Sequence, residues 1–444
     1  MPSPIVCIVG RPNVGKSTLF NRIIGRRVAV VDPTPGVTRD RLYSETECNG
    51  KRFAIVDTGG LVMQSEDELQ QEITSQAQIA IEEADAIIFL VDGKVGIHKD
   101  DEAIARSLLR SGKPALLVVN KIDGVKQDAD VYDYARLGPF EPLGISALHG
   151  RATSELMEQL VAILPEQPAL TEEEPIEDSV QLAIVGRPNV GKSSLVNRLL
   201  GEERMIVSPK AGTTRDSVDT KLDYDGTQFV LIDTAGLRRA SRVHESLEFY
   251  TTLRSIKAVQ RADVVCVMID ASQQLGAQDF KIAETAMNEG KALFFVINKW
   301  DLVEKDESTA GTYVHDMHFR AQSFAWAPVV FISALTGQRA VKILEMAREV
   351  LAESRKRIPT SELNDTILHD MHDKPPPAIR GTHIKMKYIT QTEASPPTFI
   401  VFCSHPKLIA ESYQRFVVNR IRERYGFTGS PIRVWWKSKG KKEE

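Results

Sequence analysis

Short runs of apolar residues alternate with helix-like stretches through the first 357 residues of the chain. Four of these runs are almost continuously apolar: 86–92, 115–120, 263–270 and 292–298. Such runs are typical of strands buried on both faces of a sheet. The stretches at 16–24 and 192–200 each follow a glycine and are interpreted as helices. Strands separated by helices predict an α/β fold with mainly parallel, doubly wound sheets.

Residues 358–444 have a different pattern, which predicts a small α+β domain in the order αββαβ. The first helix should bury one apolar face, formed by Leu363, Ile367, Leu368 and Met371. Residues 381–390 alternate as a half-buried strand, with Ile384, Met386 and Tyr388 on one side. The second helix should run from 405 to 426, with Pro406 near its first position and Gly426 as its stop. Trp435 and Trp436 adjoin on the last strand, so one should face each side.

The chain repeats itself before that domain. Residues 10–25 return at 186–201 with twelve of sixteen positions identical and an offset of 176. Later motifs recur in the same order, which predicts a duplicated domain rather than a solenoid. The predicted boundaries are 1–165 and 181–357 for the two copies, 166–180 for an acidic linker, 358–438 for the C-terminal domain and 439–444 for a charged tail.

Composition is that of an ordinary globular protein, with 42% hydrophobic and 26% charged residues in 444. The net charge of −4 hides an asymmetry: residues 358–444 carry +5 and the preceding 357 carry −9. A basic end indicates either an anionic partner or a solvated face. Four cysteines without metal spacing, no signal peptide and no long apolar run predict a reduced, cytoplasmic chain without a membrane span.

Two matches to GxxxxGK[ST] each follow a strand and open a helix, the context in which this loop surrounds phosphate oxygens with backbone N–H groups. The loop residues are Gly10, Arg11, Pro12, Asn13, Val14, Gly15, Lys16 and Ser17, and Gly186, Arg187, Pro188, Asn189, Val190, Gly191, Lys192 and Ser193. Lys16 and Lys192 should reach the β- and γ-phosphates, and Ser17 and Ser193 should ligate Mg²⁺.

A second motif, DxxG, ends an apolar strand in each copy. It comprises Asp57, Thr58, Gly59, Gly60 and Leu61, and Asp233, Thr234, Ala235, Gly236 and Leu237. The aspartates should hold Mg²⁺ directly or through water, and Gly60 and Gly236 could offer an N–H to the γ-phosphate.

A third motif, NKxD, selects the base. A carboxylate accepts the two donors on one edge of guanine, a pair that adenine does not present. The residues are Asn120, Lys121 and Asp123 with Ser146 and Ala147, and Asn298, Lys299 and Asp301 with Ser333 and Ala334. The Ser-Ala pairs could present a backbone N–H to the guanine oxygen.

This ordered set resembles the translation-factor-related P-loop GTPases, and the duplication with an αββαβ tail resembles the tandem GTPase family Der, also called EngA. The resemblance implies a bacterial GTPase of ribosome biogenesis, acting on the large subunit, with a KH-like C-terminal domain, and it favours a monomer. By register, Thr38 and Thr214 are the switch threonines that close on Mg²⁺ and the γ-phosphate, with Thr213 an alternative in the second copy.

Many GTPases carry a glutamine where this chain has Leu61 and Leu237, so intrinsic hydrolysis should be slow. Related GTPases with an asparagine at the position of Asn13 and Asn189 use it to bind K⁺ beside the phosphates. This similarity predicts K⁺-stimulated hydrolysis in at least one copy. The alternative is that the asparagine only satisfies backbone groups of its own loop.

Two functions remain open at this point. One is a GTP-switched assembly factor that binds ribosomal RNA. The other is a regulatory GTPase that binds a protein partner, with the C-terminal domain as an internal docking platform.

The GxxG at 426–429 lies between a helix and a strand, so it is interpreted as a helix cap rather than a KH clamp. Possible phosphate contacts are Lys385, Lys387, Arg415, Arg422, Arg424, Arg433 and Lys437.

Overall fold

A computed structural model of the chain describes residues 4–25, 43–57, 81, 84–124, 127–165, 179–201, 205–208, 219–234, 247–273, 275–304, 306, 308–379 and 381–438. Within these residues the named strands form three sheets. We refer to residues 4–165 as the first repeat, 179–357 as the second repeat and 358–438 as the C-terminal domain. None of the described helices is long and apolar enough to cross a membrane.

The first repeat is a sheet of the order β2-β3-β1-β4-β5-β6, in which every pairing except β2–β3 is parallel. Its described strands are β1 (Ile5–Val9), β2 (Tyr43–Cys48), β3 (Lys51–Asp57), β4 (Ala86–Asp92), β5 (Ala115–Asn120) and β6 (Pro142–Gly144). Its described helices are α1 (Lys16–Gly25), α2 (Lys99–Ser111), the short α3 (Asp128–Val131) and α4 (Thr153–Ile163), with a 3₁₀ turn at Tyr132–Leu137. Leu19 and Phe20 of α1 pack with Leu156 of α4 over the central strands.

The second repeat has the order β13-β12-β11-β7-β10-β9-β8 within the described residues. Its strands are β7 (Ser179–Gly186), β8 (Ile206–Ser208), β9 (Thr220–Tyr224), β10 (Thr227–Ile232), β11 (Val264–Asp270), β12 (Ala292–Asn298) and β13 (Val329–Phe331). Its helices are α5 (Lys192–Leu200), α6 (Leu247–Arg261), α7 (Ala277–Asn288), α8 (Thr309–Arg320) and α9 (Lys342–Ser354), with 3₁₀ turns at Trp300–Leu302 and Gln322–Phe324.

Alternate residues of the central strands enter two separate cores, one on each face of the second sheet. Val264, Cys266 and Met268 lie in one core, while Val265 and Val267 lie in the other. This explains why these strands are apolar at every position, since a strand covered on both faces has no solvent side. The predicted doubly wound, mainly parallel architecture is confirmed for both repeats. The antiparallel pairings lie on the β2 and β9–β8 side of each sheet.

The C-terminal domain has the predicted αββαβ order. It comprises α10 (Thr360–Leu363), which continues through a π turn (Asn364–Leu368) into α11 (His369–Asp373), then β14 (Met386–Glu393), β15 (Thr398–Cys403), a 3₁₀ turn (Pro406–Leu408), α12 (Glu411–Tyr425) and β16 (Arg433–Lys437). β14 pairs with β15 antiparallel, and β15 pairs with β16 parallel. The four predicted apolar positions of the first helix are all buried.

Three details differ from the sequence-based expectations. The second long helix begins at Glu411, because Pro406 starts a separate 3₁₀ turn and Ile409 takes an extended conformation that lets it reach the core. Tyr388 faces outward, because the register shifts between Met386 and Tyr388 and breaks the alternation of the strand. Strand β7 begins at Ser179, inside the segment predicted as a linker.

Candidate functional site

Each phosphate loop leaves its sheet at a glycine with no room for a side chain. A Cβ atom on Gly10 would lie 2.2 Å from the carbonyl oxygen of Leu90 in β4. A Cβ atom on Gly186 would lie 2.4 Å from the carbonyl oxygen of Met268 in β11. The backbone therefore passes directly over the neighbouring strand in both repeats, and only glycine permits that approach.

The same loops end at a second glycine with left-handed backbone. Gly15 and Gly191 have φ values of +101° and +100°. A Cβ atom on either would lie 2.3 Å from the side-chain nitrogen of Asn120 or Asn298, respectively. The end of each phosphate loop is thus packed against the asparagine of the NKxD motif, which joins the phosphate-binding and base-binding parts of the site.

The lysine of each phosphate loop is held by the loop itself. Lys16 Nζ donates to the carbonyl oxygens of Gly10 at 2.8 Å and Arg11 at 2.9 Å. Lys192 makes the corresponding two bonds at 2.8 and 2.6 Å. Burial lowers the pKa of both lysines to about 8, opposed in the first repeat by the nearby Asp57 carboxylate. Phosphate oxygens would stabilise the charged form that burial disfavours.

The NKxD asparagine connects three loops through two hydrogen bonds. Asn120 Nδ2 donates to the carbonyl oxygen of Val14 at 2.8 Å, and Asn120 Oδ1 accepts from the N–H of Ala147 at 2.9 Å. Asn298 repeats both bonds, at 2.7 and 2.9 Å, in the second repeat. Both side chains are almost completely buried. The asparagine therefore braces the phosphate loop against the loop that carries the Ser-Ala pair.

The base-selecting carboxylate of the first repeat carries two side-chain contacts. Ser146 Oγ donates to Asp123 Oδ1 at 2.8 Å, and Lys94 Nζ lies 2.7 Å from Asp123 Oδ2. These hydrogen bonds, that from Lys94 first, lower the pKa of Asp123 below its usual value. The carboxylate is therefore ionised at neutral pH, as an acceptor for two guanine donors must be.

The second repeat differs at this point. Asp301 forms no hydrogen bond or ion pair with another described residue. The residue that corresponds to Lys94 is Ser272, whose N–H and hydroxyl donate to Asp270 Oδ1 at 2.9 and 2.7 Å. No cation of the described chain competes with a base for this carboxylate.

A partly buried ion pair that the sequence analysis did not identify supports each NKxD lysine. Lys121 Nζ lies 2.5 Å from Asp92 Oδ2, and Lys299 Nζ lies 2.6 Å from Asp270 Oδ2. Both lysines have left-handed φ, at 70° and 62°. The two aspartates end equivalent strands and are 178 residues apart, which is also the offset of the NKxD motifs. An alignment of the two repeats at this offset would therefore have identified them.

An arginine of the helix after each phosphate loop contacts the loop that carries the Ser-Ala pair. Arg22 Nε donates to the carbonyl oxygen of Ala147 at 2.9 Å, and its terminal nitrogen donates to that of Leu148. Arg198 donates to the carbonyl oxygen of Leu335. These arginines also went unrecognised in the sequence, although both lie in the repeated 16-residue segment at an offset of 176.

Both repeats and the C-terminal domain match known protein families. Residues 5–121 and 181–299 match the family described as "50S ribosome-binding GTPase", and residues 357–437 match the "KH-domain-like of EngA bacterial GTPase enzymes, C-terminal". "GTPase Der" of Moorella thermoacetica is 49% identical over 434 residues, which cover 98% of each chain. "GTPase Der" of Heliobacterium modesticaldum is 48% identical over 445 residues and 100% of each chain. The chain belongs to the Der family of GTPases.

Membership in the Der family means that the protein binds guanine nucleotides and hydrolyses GTP. The family also accounts for the two P-loop domains and the KH-like C-terminal domain. Solved structures of Aquifex aeolicus Era with GDP·AlF₄⁻ and of Era with 16S ribosomal RNA are each 24% identical to this chain. They cover 59% of it and 94% and 93% of their own chains, each with a TM-score of 0.30.

Der-family GTPases typically need a divalent metal, and the first repeat presents a suitable donor set. Asp57 ends β3 beside Ile8 of β1, and its side chain is 1% exposed. Ser17 lies in the first turn of α1, which follows β1. A hydroxyl and a carboxylate are the oxygen ligands that Mg²⁺ prefers. In the second repeat Asp233 lies just beyond β10 with φ +55°, so its backbone differs from that of Asp57.

Several predicted site residues lie outside the described residues. They are Thr38, Thr58, Gly59, Gly60, Leu61, Thr213, Thr214, Ala235, Gly236 and Leu237. Their roles remain predictions. Thr234 is described and buried, and its hydroxyl lies 2.6 Å from that of Thr220.

Three of the arginines predicted to contact RNA are engaged within the chain. Arg424 binds the carboxylate of Asp370 through two nitrogens. Arg422 lies over the ring of Trp326, and its burial lowers its pKa to about 10. Arg433 donates to the carbonyl oxygen of Asn288. These side chains therefore serve the structure of the domain and its contact with the second repeat.

The GxxG at 426–429 also contacts the second repeat. Gly426 ends α12 with φ +86°, as predicted for a cap. The N–H of Leu293 donates to the carbonyl oxygen of Gly429 at 2.7 Å, and the N–H of Gly429 donates to that of Trp326 at 3.1 Å. Phe427 is completely buried. A loop fixed in this way is not available to clamp a nucleic acid.

Proposed function

We propose that the protein is a GTP-switched factor of the bacterial cytoplasm that acts in assembly of the large ribosomal subunit and binds ribosomal RNA as a monomer. The observation that carries this proposal is the match of both nucleotide-binding repeats to the family described as "50S ribosome-binding GTPase". The net charge of +5 on residues 358–444 agrees with an anionic partner for that end.

In the proposed cycle both repeats bind nucleotide through the same contacts. The loop N–H groups and the lysine would hold the phosphates, and the NKxD carboxylate would accept two guanine donors. The N–H groups of Ala147 and Ala334, which the sequence predicts for the guanine oxygen, instead donate to the NKxD asparagines. Thr38 and Thr214, with Gly60 and Gly236, would close on the γ-phosphate and open after hydrolysis. This closure would make the affinity for the subunit depend on the nucleotide.

The metal ions have assigned ligands in this proposal. Mg²⁺ would be held by Ser17, Thr38 and Asp57 in the first repeat and by the corresponding residues Ser193, Thr214 and Asp233 in the second. It would neutralise charge that develops on the phosphate oxygens. K⁺ would be held by Asn13 and Asn189, whose side chains are exposed and make no hydrogen bond to another described residue.

Hydrolysis rates in buffers of equal ionic strength test the K⁺ assignment. GTP hydrolysis should be faster in K⁺ than in Na⁺, and Asn13→Ala or Asn189→Ala should remove the difference for the repeat that carries the change. Equal rates in the two salts with the unchanged protein would refute a role for K⁺.

Co-sedimentation with purified large ribosomal subunits tests the proposed function. Binding should be stronger with a non-hydrolysable GTP analogue than with GDP, and it should weaken between 50 and 200 mM salt because phosphate contacts release counterions. Absence of binding in every nucleotide state would refute the ribosomal role and favour a GTPase that regulates a protein partner.

A further inference from the structure

The sheet of the C-terminal domain has one face covered by helices and one face open. Ile389, Phe399 and Val401 point into the core beneath the helices. The open face consists of the residues that alternate with them on β14, β15 and β16: Tyr388, Thr390, Ile400, Phe402, Trp435 and Lys437. This face therefore carries aromatic side chains where a sheet that faced only water would carry polar ones.

The aromatic rings follow from the strand register. Tyr388 pairs with Phe402, and their ring centroids are 6.0 Å apart. Ile400 pairs with Trp435 on the other side of β15. Tyr388 and Trp435 are each 43% exposed, although both are large and apolar. Exposed aromatic rings gathered on one face indicate a binding surface rather than scattered surface residues.

Positive charge accompanies the rings at one end of the face. Lys437 pairs with Phe402, and the N–H of Ser404 donates to the carbonyl oxygen of Lys385, so both lysines lie at the same end of β15. Lys387 lies between Lys385 and Tyr388 in the sequence. All three lysines are exposed and form no ion pair with another described residue. In contrast, Arg424 on the helical side is already neutralised by Asp370.

Aromatic rings beside unpaired cations are the combination by which proteins bind single-stranded nucleic acid: bases stack on the rings and phosphates meet the cations. Tyr388 and Trp435 lie on the two outer strands, opposite Phe402 and Ile400 of β15, which places their backbones roughly 12 Å apart. That separation suits two splayed bases and not the closely stacked bases of a helix. The Gly426–Gly429 loop, the GxxG of this domain, is a helix cap that is occupied by the second repeat.

We propose that the open face of this sheet binds single-stranded RNA, with one base on Tyr388, a second on Trp435, and phosphates at Lys385, Lys387 and Lys437. This inference rests on the proposed RNA-binding function and assigns it a surface. It also places the contact on the face of the sheet opposite the helices, away from the Gly426–Gly429 loop.

Binding of the full-length protein to a fluorescent single-stranded RNA of about ten nucleotides and to purified large subunits tests the assignment. Tyr388→Ala with Trp435→Ala should weaken RNA binding at least about thirtyfold, since each ring stacks one base. Tyr388→Phe with Trp435→Phe keeps both rings and should retain most of the affinity. Phe319→Ala, which removes an aromatic side chain that is 71% exposed elsewhere, should have no effect.

Charge is tested separately. Replacing the three lysines by Gln should reduce the slope of log affinity against log salt by about 2, at roughly 0.7 for each phosphate contact. Circular dichroism and the thermal unfolding midpoint identify any variant that fails to fold. If the double Ala variant fails to fold, the unchanged protein is compared with the double Phe variant instead.

The outcomes separate this inference from the proposed function. If the unchanged protein binds neither RNA nor large subunits, the proposed function fails. If it binds both and the double Ala variant binds equally well, the RNA site lies elsewhere and this inference alone is wrong. If the variant binds RNA normally but large subunits weakly, the face contacts a protein and the RNA assignment is overturned.

Discussion

The two nucleotide sites share the backbone frame of the phosphate loop and the NKxD motif, but they differ at the exposed base-selecting carboxylate. The glycines, the braced asparagines and the lysine–aspartate pairs of the two repeats agree closely in distance. Asp123, however, is paired with Lys94, whereas Asp301 has no such cation among the described residues, since Ser272 stands at the position of Lys94 and donates to Asp270. Parts of a site that are packed against the core have little freedom to diverge, while an exposed side chain can change the electrostatics of base binding without disturbing the fold.

The largest effect on nucleotide binding is expected from substitution of the second glycine of each phosphate loop. Gly15→Ala and Gly191→Ala should each weaken nucleotide binding by about a thousandfold in the affected repeat, because the new Cβ would collide with the NKxD asparagine at a strained φ. Isothermal titration with GDP should show one site instead of two. Gly25→Ala and Gly311→Ala, where nothing lies within 4 Å of the new atom, are matched controls that should retain both sites.

Base selection should be lost in either repeat by the same substitution. Asp123→Asn and Asp301→Asn place an amide donor against the 2-amino group of guanine and should weaken GDP binding about a hundredfold at that site. Xanthosine diphosphate carries an acceptor there and should bind the altered site instead. A variant that retains its preference for GDP would show that another residue reads the base.

The response to pH should be the same in the two repeats. The free lysines lose their proton as the pH rises through about 8, whereas bound phosphate would hold the proton on. Affinity for GDP should therefore fall by about fourfold between pH 7 and 8.5, with proton uptake on binding at the higher pH. Titration calorimetry in two buffers of different ionisation enthalpy measures that uptake. A constant affinity would show that the lysines remain charged without ligand.

The smallest expected effect concerns the position at which the repeats differ. Lys94→Ser should tighten GDP binding at the first site by about two- to fivefold, because it removes an exposed ion pair that competes with guanine for Asp123. Ser272→Lys should weaken the second site by a similar factor. Each is measured with the other site disabled by the glycine substitution. Lys99→Ser, another exposed lysine, is the control, and tighter binding with Ser272→Lys would contradict the explanation.

Much of the candidate site was predictable because its motifs are local. The phosphate loops and the NKxD motifs lie at strand ends, where the sequence pattern placed them. Lys94 was not predictable, because it lies 29 residues before Asp123 and meets it only when β4 and β5 pair. Arg22 reaches the Ala147 loop across 125 residues for the same kind of reason.

The duplication, the α/β fold of each repeat, the αββαβ order of the C-terminal domain and the chemistry of the nucleotide motifs could all be predicted from the amino-acid sequence. Each of these depends on residues close together in the chain or on a repeated register. Three other features became visible in the folded chain: the second repeat closes the Gly426–Gly429 loop, a shift in register turns Tyr388 outward beside Phe402, and three arginines make contacts within the chain. Those outcomes depend on which distant surfaces pack together, and local periodicity carries no information about that choice.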